Sequence, residues 1–239
     1  MSKIAIIGGG AAGFWAAITA KTHYPALEVC ILEKTSKYLS KVKVSGGGRC
    51  NVTHACFEPS ALAKFYPRGG KALKKAFRSF MPQDMMQWLE KRGVALKTES
   101  DGRVFPQSDD SQTIIDCFLK ECQKLKIQLL DRHSVEAIEP QEGGSFVLQM
   151  VGKPTIRAQK VIICTGGSPK LSGLDWLKDL GHKIVPPVPS LFTFNMPDEP
   201  IKELMGLSHP ESQMKVQSSK LKDEGALLIT HWGMSGPSV

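Results

Sequence analysis

Lys3-Ile-Ala-Ile-Ile7 is a short, almost unbroken apolar run, and three glycines come directly after it. A run this short reads as a strand covered on both faces rather than as a helix. In "GGGAAGFWAAITAKTHY" the Ala and Ile positions then recur at helical spacing, so a helix is expected to start within the glycines. "LEVCILEK", 27–34, is a second buried strand and "IQLL", 127–130, a third. "KVIICTGG" is a fourth, apolar up to its glycines. Strand, glycine turn, helix and strand within roughly 30 residues make the βαβ unit of a parallel sheet. From 59 to 92 the pattern is helical, with Pro82 placed for a first turn and Gly93 for a C-terminal cap. Ser108 is expected to cap a helix in "DDSQTIIDCFLKECQKLK". Between 134 and 158, Glu142-Gly143-Gly144 and Gly152-Lys153-Pro154 divide three short strands, the pattern of an antiparallel meander. Residues 172–181 predict one more short helix, stopped by a glycine. The proline density of "IVPPVPSLFTFN" and the weaker strands beyond it predict a change of domain near residue 190.

The alternation therefore predicts an α/β protein. At 239 residues the chain can hold one large domain or two small ones. An apolar fraction of 41% and a charged fraction of 23% are those of ordinary globular proteins, and no apolar run reaches the ~18–20 residues that cross a bilayer. No membrane partner and a cytoplasmic location are expected. The net charge of +8 points mildly to anionic partners. Lys71, Lys74 and Lys75 cluster before Phe77 without evident aromatic interleaving, so nucleic acid is not expected as a principal partner. Of the six cysteines, Cys30 and Cys164 sit in apolar runs and read as core, while Cys117 and Cys122 are five apart on a helix and should not share a face closely. No C-x-x-C and no histidine spacing suits a metal, so none is expected.

The candidate chemistry starts at Gly8-x-Gly10-x-x-Gly13, which comes after a strand and opens a helix. In that context the first glycine permits the turn, the second lets backbone approach a pyrophosphate, and the third lets helix and strand pack closely. Glu33, at the end of the second strand, stands where an acid accepts from a ribose hydroxyl. The fingerprint alone does not choose between NAD and FAD. The segment after the second strand does: "KVSGGGRCNVTH", 43–54, arrives at once, and the meander and "CTGG" come later. Gly46, Gly47 and Gly48 have no Cβ and allow main-chain N–H groups to reach a flat ring, while Lys41 and Arg49 supply positive charge and Asn51 a side-chain hydrogen bond.

These features resemble the two-dinucleotide-binding-domain flavoproteins related to glutathione reductase. Within them, "KVSGGGRCNVTH", "GRVFPQS", "TGG" and "LLITHWGMSGP" are similar to the bacterial FAD-dependent oxidoreductases of the 3-dehydro-bile acid reductase type (BaiN-like), also grouped as an aminoacetone oxidase family. The pairing of S-G-G-G-R-C-N with H-W-G-M-S-G-P is more specific than the glycine fingerprint. The resemblance implies a glutathione-reductase-type FAD-binding Rossmann-like domain over 1–190, with parallel sheet and β-meander, then the start of a β-rich insertion domain over 191–239 that is expected to be truncated. FAD would be held by Gly8, Gly10, Ala12, Gly13, Glu33, Lys34 and Lys41, by Ser45 to Val52 (Gly46, Gly47, Gly48, Arg49, Cys50 and Asn51 between them), by Val135 through its backbone, and by Thr165, Gly166 and Gly167. The implied activity is transfer of electrons from NADH or NADPH to a small organic substrate, with no catalytic side chain identified. A non-catalytic dinucleotide-binding fragment is the alternative, and a nucleic-acid-modifying flavoprotein is a third, supported by charge alone. His231 and Trp232 are expected to be structural.

Overall fold

The computed structural model describes residues 3–66, 68–168, 171–188, 193–215, 217–218, 220, 222–236 and 238–239. The chain forms two compact units, Met1–Gly167 and Ser168–Val239. The division falls before residue 190, and the stretch 189–192, where the proline-rich boundary was expected, lies outside the described residues.

In the first unit the order is β1 (Lys3–Ile7), α1 (Ala11–His23), β2 (Glu28–Leu32), α2 (Ser40–Val44), β3 (Thr53–His54), α3 (Pro59–Lys64), α4 (Gly70–Phe77), α5 (Pro82–Glu90), β4 (Leu96–Thr98), β5 (Arg103–Pro106), α6 (Gln112–Lys124), β6 (Gln128–Leu130), β7 (Val135–Pro140), β8 (Phe146–Met150), β9 (Lys153–Ala158) and β10 (Lys160–Ile163). A parallel sheet of order β10-β1-β2-β6 is its centre. Ala5 and Ile6 of β1 and Cys30 and Ile31 of β2 are fully buried, as an apolar run between two covered faces requires. α1 packs Phe14, Ala17 and Ile18 into this core, and α6 adds Ile114 and Phe118, whose ring meets that of Phe14 at 6.1 Å. Cys117 and Cys122 are both buried on α6. Its apolar face is wide enough to take both, because positions five apart lie within one broad stripe.

β7, β8 and β9 form the expected antiparallel meander, with Pro154 on an edge strand where its missing N–H costs little. α5 begins as expected, with Pro82 in its first turn and the Asp84 carboxylate accepting the Met81 N–H at 2.6 Å. Gly93 (φ 81°) lies just past its end. The start of α6 is a correction. Ser108 does not cap it; its hydroxyl lies 2.6 Å from the Thr113 hydroxyl. The helix begins at Gln112, whose N–H donates to Asp110, and the preceding Ser111 is buried and donates its hydroxyl to the Lys43 carbonyl at 2.8 Å.

In the second unit, α7 (Asp175–Asp179) precedes β11 (Thr193–Asn195), β12 (Ser208–Lys215), β13 (Lys222–Thr230) and β14 (Gly233–Ser235), which make an antiparallel sheet of order β11-β14-β13-β12. His231 and Trp232 form the exposed turn between β13 and β14, ring against ring at 4.4 Å, and the Thr230 hydroxyl accepts the N–H groups of Trp232 and Gly233. The two residues thus form the turn of a hairpin.

Candidate dinucleotide site

The carboxyl ends of β1, β2 and β10 open into a cavity of about 800 Å³, within the range of small-molecule and cofactor sites. Its floor is the glycine turn. A Cβ on Gly13 would lie 2.0 Å from the Gly8 carbonyl oxygen, and one on Gly8 would lie 2.3 Å from the Cys164 carbonyl oxygen. These two glycines are therefore required by close approach of backbone to backbone. Gly10 differs: a Cβ there meets nothing within 4 Å, because it faces the cavity. Gly10 is also the N-cap of α1, and no side chain caps that helix. The first-turn N–H groups of a 13-residue helix thus point toward open space, where the helix dipole favours an anion.

Glu33 lines the cavity at the end of β2. Its carboxylate accepts the Gly9 N–H at 2.9 Å through one oxygen, and the Thr35 N–H and hydroxyl at 2.9 and 2.8 Å through the other. Burial pushes this acid up, but the hydrogen bonds from Thr35 and Gly9 outweigh burial and hold it below the usual glutamate value. A carboxylate has about four acceptor sites, so three internal donors leave room for a ligand hydroxyl. Glu33 thus ties the glycine turn to the loop after β2, a role that spacing did not reveal.

The loop 45–50 gives its glycines a conformational reason. Gly46, Gly47 and Gly48 have φ of 55°, 68° and 87°, and Cys50 lies at 64°. Three residues running in left-handed geometry suit only glycine. The Cys50 N–H returns to the Ser45 carbonyl at 2.9 Å, and the buried Ser111 N–H to the Gly48 carbonyl at 2.8 Å, so the loop is pinned to the start of α6. This coil turns Ser45, Cys50, Asn51 and Val52 onto the cavity, whereas Gly46, Gly47 and Gly48, expected at the cofactor, do not line it.

Of the expected residues, Gly8, Gly10, Ala12, Glu33, Lys34, Lys41, Ser45, Cys50, Asn51, Val52, Thr165, Gly166 and Gly167 line this one cavity. A Cβ on Gly166 would lie 3.6 Å from the Lys41 ammonium nitrogen, which brings that cation to the end of β10. Gly13 packs beneath the turn. Arg49 goes elsewhere: its guanidinium pairs with Glu99 at 2.6 Å and sits 4.0 Å over the Phe105 ring, so its charge is engaged within the fold. Val135 pairs with Met150 in the meander and does not line the cavity. The nearby backbone of His133 donates to the Glu33 carbonyl at 2.8 Å. Burial raises the thiols of Cys50 and Cys164, which disfavours a thiolate at either. Sequence reasoning missed the apolar wall made by Trp15, Leu39, Met85, Leu89, Ile114 and Phe118. The helical periodicity of Trp15, Met85, Leu89, Ile114 and Phe118 signalled burial, but not what the buried faces enclose.

A parallel sheet with a glycine turn, an uncapped helix, an acid ending β2 and a meander before β10 defines a Rossmann-type domain. The chain belongs to the HI0933-like protein Rossmann domain family, whose pattern matches residues 2–235. It is 25% identical over 243 residues to the 3-dehydro-bile acid delta(4,6)-reductase of Clostridium scindens, covering 99% of this chain and 58% of that protein. It is 30% identical over 243 residues to a ribosomal RNA dihydrouridine synthase of Escherichia coli K12, covering 98% and 58%. The resemblance drawn from the glycine-loop motifs is borne out. In fold the chain is similar to the 3-ketosteroid-delta4-(5alpha)-dehydrogenase of Rhodococcus jostii RHA1, with a TM-score of 0.54 and 17% identity over 69% of this chain and 46% of that one. The chain spans about three-fifths of the curated relatives it matches. Among the described residues no helix is long and apolar enough to cross a membrane, and no cluster of ligands could hold a metal.

Proposed function

We propose that the cavity holds FAD and that the protein is a flavin-dependent reductase of carbon–carbon double bonds conjugated to a carbonyl, with NADH or NADPH as electron donor. The observation that carries this is the single cavity onto which the α1 N-terminus, Glu33, the 45–52 loop and the end of β10 all converge. The backbone N–H groups of Gly10 to Ala12 would receive the pyrophosphate, Glu33 a ribose hydroxyl, and Lys41 a negative charge near Gly166. Ser45, Asn51 and Val52 would border the ring end, and Trp15, Leu39 and Phe118 would keep water from it. When bound, the flavin would supply a two-electron reductant.

The substrate class comes from the chemistry of two relatives' names. The C4=C5 bond of a 3-oxo-delta(4,6) steroid acid and the C5=C6 bond of uridine are both conjugated to a carbonyl. Reduction of either adds two electrons and two protons, with hydrogen delivered to the β-carbon and a proton to the α-carbon. A pyrimidine in RNA is therefore the second substrate reading, favoured by the 30% identity to the ribosomal RNA dihydrouridine synthase. Purified protein supplied with FAD should show flavin absorption bands that NADH or NADPH bleaches without oxygen, with the colour returning on addition of an enone acceptor. Bands that neither nucleotide bleaches would remove the reductase reading and leave a dinucleotide-binding protein.

A further inference from the structure

The helical pair α3–α4 and its connection carry a charge pattern that the cavity does not use. Between residues 59 and 80 lie six cations, Lys64, Arg68, Lys71, Lys74, Lys75 and Arg78, and no acid. None of the six is in an ion pair among the described residues. The preceding acid, Glu58, is engaged as the cap of α3, accepting the Ala61 N–H at 2.6 Å. The same stretch exposes aromatic rings: Phe65 is 63% exposed, Tyr66 43% and Phe80 40%. Phe65 is held against His54 at 5.1 Å and Tyr66 against Phe77 at 5.5 Å, so their orientations are set before any partner arrives. Lys64, Lys71, Lys74 and Tyr66 surround a second cavity of about 450 Å³, floored by Gly69 and Gly70. Finally, Phe80 lies 5.1 Å from Trp15, which lines the candidate flavin cavity.

We propose that this face binds a single-stranded segment of RNA and leads one of its bases to the flavin cavity. Cations track phosphates, and preset exposed rings stack on bases; the two together are the recurring means of gripping an unpaired strand. The placement decides against the other anionic surface. A bilayer would need a free apolar helix face, whereas the apolar residues of α4, Leu73 and Phe77, are already half-buried. The concave, lysine-walled surface suits a phosphate chain better than a flat sheet of headgroups. The Phe80–Trp15 contact gives the strand a route, since a base stacked along this edge stands beside the cavity wall. The inference rests on the RNA form of the proposed function for what the cavity does with the base, but not for the binding itself.

The test is fluorescence anisotropy of the whole chain with a labelled RNA hairpin bearing a uridine-rich loop, measured across a salt series. Phosphatidylserine vesicles and FAD are titrated in parallel. Lys71→Glu/Lys74→Glu should weaken RNA binding at least roughly ten-fold and flatten the salt dependence, by about 0.7 in log–log slope for each phosphate no longer neutralised. Phe65→Ala/Tyr66→Ala should weaken it about five- to a hundred-fold while leaving that slope unchanged. Both variants should keep the wild-type circular dichroism spectrum and FAD affinity. RNA binding that is absent, or equal in wild type and charge-reversed protein, would overturn the proposal, as would binding to vesicles alone. RNA binding without any FAD binding would leave this surface standing and remove the flavin reading instead.

Discussion

Gly10 and Gly13 are three positions apart in one motif, yet the structure assigns them opposite physical duties. Gly13 has a backbone oxygen where its Cβ would be, so Gly13→Ala must push α1 from β1 and should cost about 1–3 kcal/mol, the usual range for overpacking. A urea unfolding curve checks this. A Cβ at Gly10 meets no protein atom within 4 Å, so Gly10→Val should stay close to wild type in stability. Glu33 brings a pH dependence of definite sign. Its folded carboxyl titrates below the ordinary value of 4.5, so the stability it contributes is present above that value and is lost as pH falls through the lowered one. Melting temperature between pH 6 and pH 3 should therefore fall less steeply in Glu33→Gln than in wild type. The glycine spacing and Glu33 were legible from sequence because a fixed motif fixes backbone geometry. The Thr35 and Gly9 hydrogen bonds were not, because they depend on how the loop after β2 folds back.

For the elements, the instructive case is the loop 45–50 with the start of α6. Three glycines in a row announced an unusual backbone, and the structure shows that the requirement is left-handed geometry. Gly47→Ala should cost only that conformation, about 1–2 kcal/mol. Gly46→Ala should cost more, since its Cβ would also lie 2.6 Å from the Asn51 nitrogen and 2.9 Å from the Phe105 ring. Denaturant midpoints should therefore rank wild type, Gly47→Ala, Gly46→Ala. Ser111→Ala should cost about 0.5–1.5 kcal/mol by removing the donor to the part-buried Lys43 carbonyl. Sequence placed the cap of α6 at Ser108 because capping patterns are local. Ser111 contacts a residue 68 positions away, and no local pattern carries that. Arg49 shows the same limit: its charge was visible, but its commitment to Glu99 and Phe105 was not.

Across the whole molecule, the parallel sheet and the meander were legible because each derives from periodicity and turn chemistry. The cavity wall was not, since Met85, Leu89, Ile114 and Phe118 come from helices whose pattern states only that one face is buried. The basic face on α3 and α4 was missed for the converse reason. Along the sequence the lysine cluster lacks evident interleaved aromatics, and only the fold shows Phe65 and Tyr66 exposed beside it. If the glycine turn, the uncapped start of α1 and Glu33 form one dinucleotide site, Gly10 is the position where binding and folding come apart. FAD should be titrated into wild type and Gly10→Val, followed by quenching of flavin fluorescence, with a thermal melt of each protein alongside. Saturable binding to wild type and at least a roughly ten-fold loss in Gly10→Val are expected, with nearly equal melting temperatures. Equal FAD affinity in two equally stable proteins would contradict a dinucleotide site at this turn.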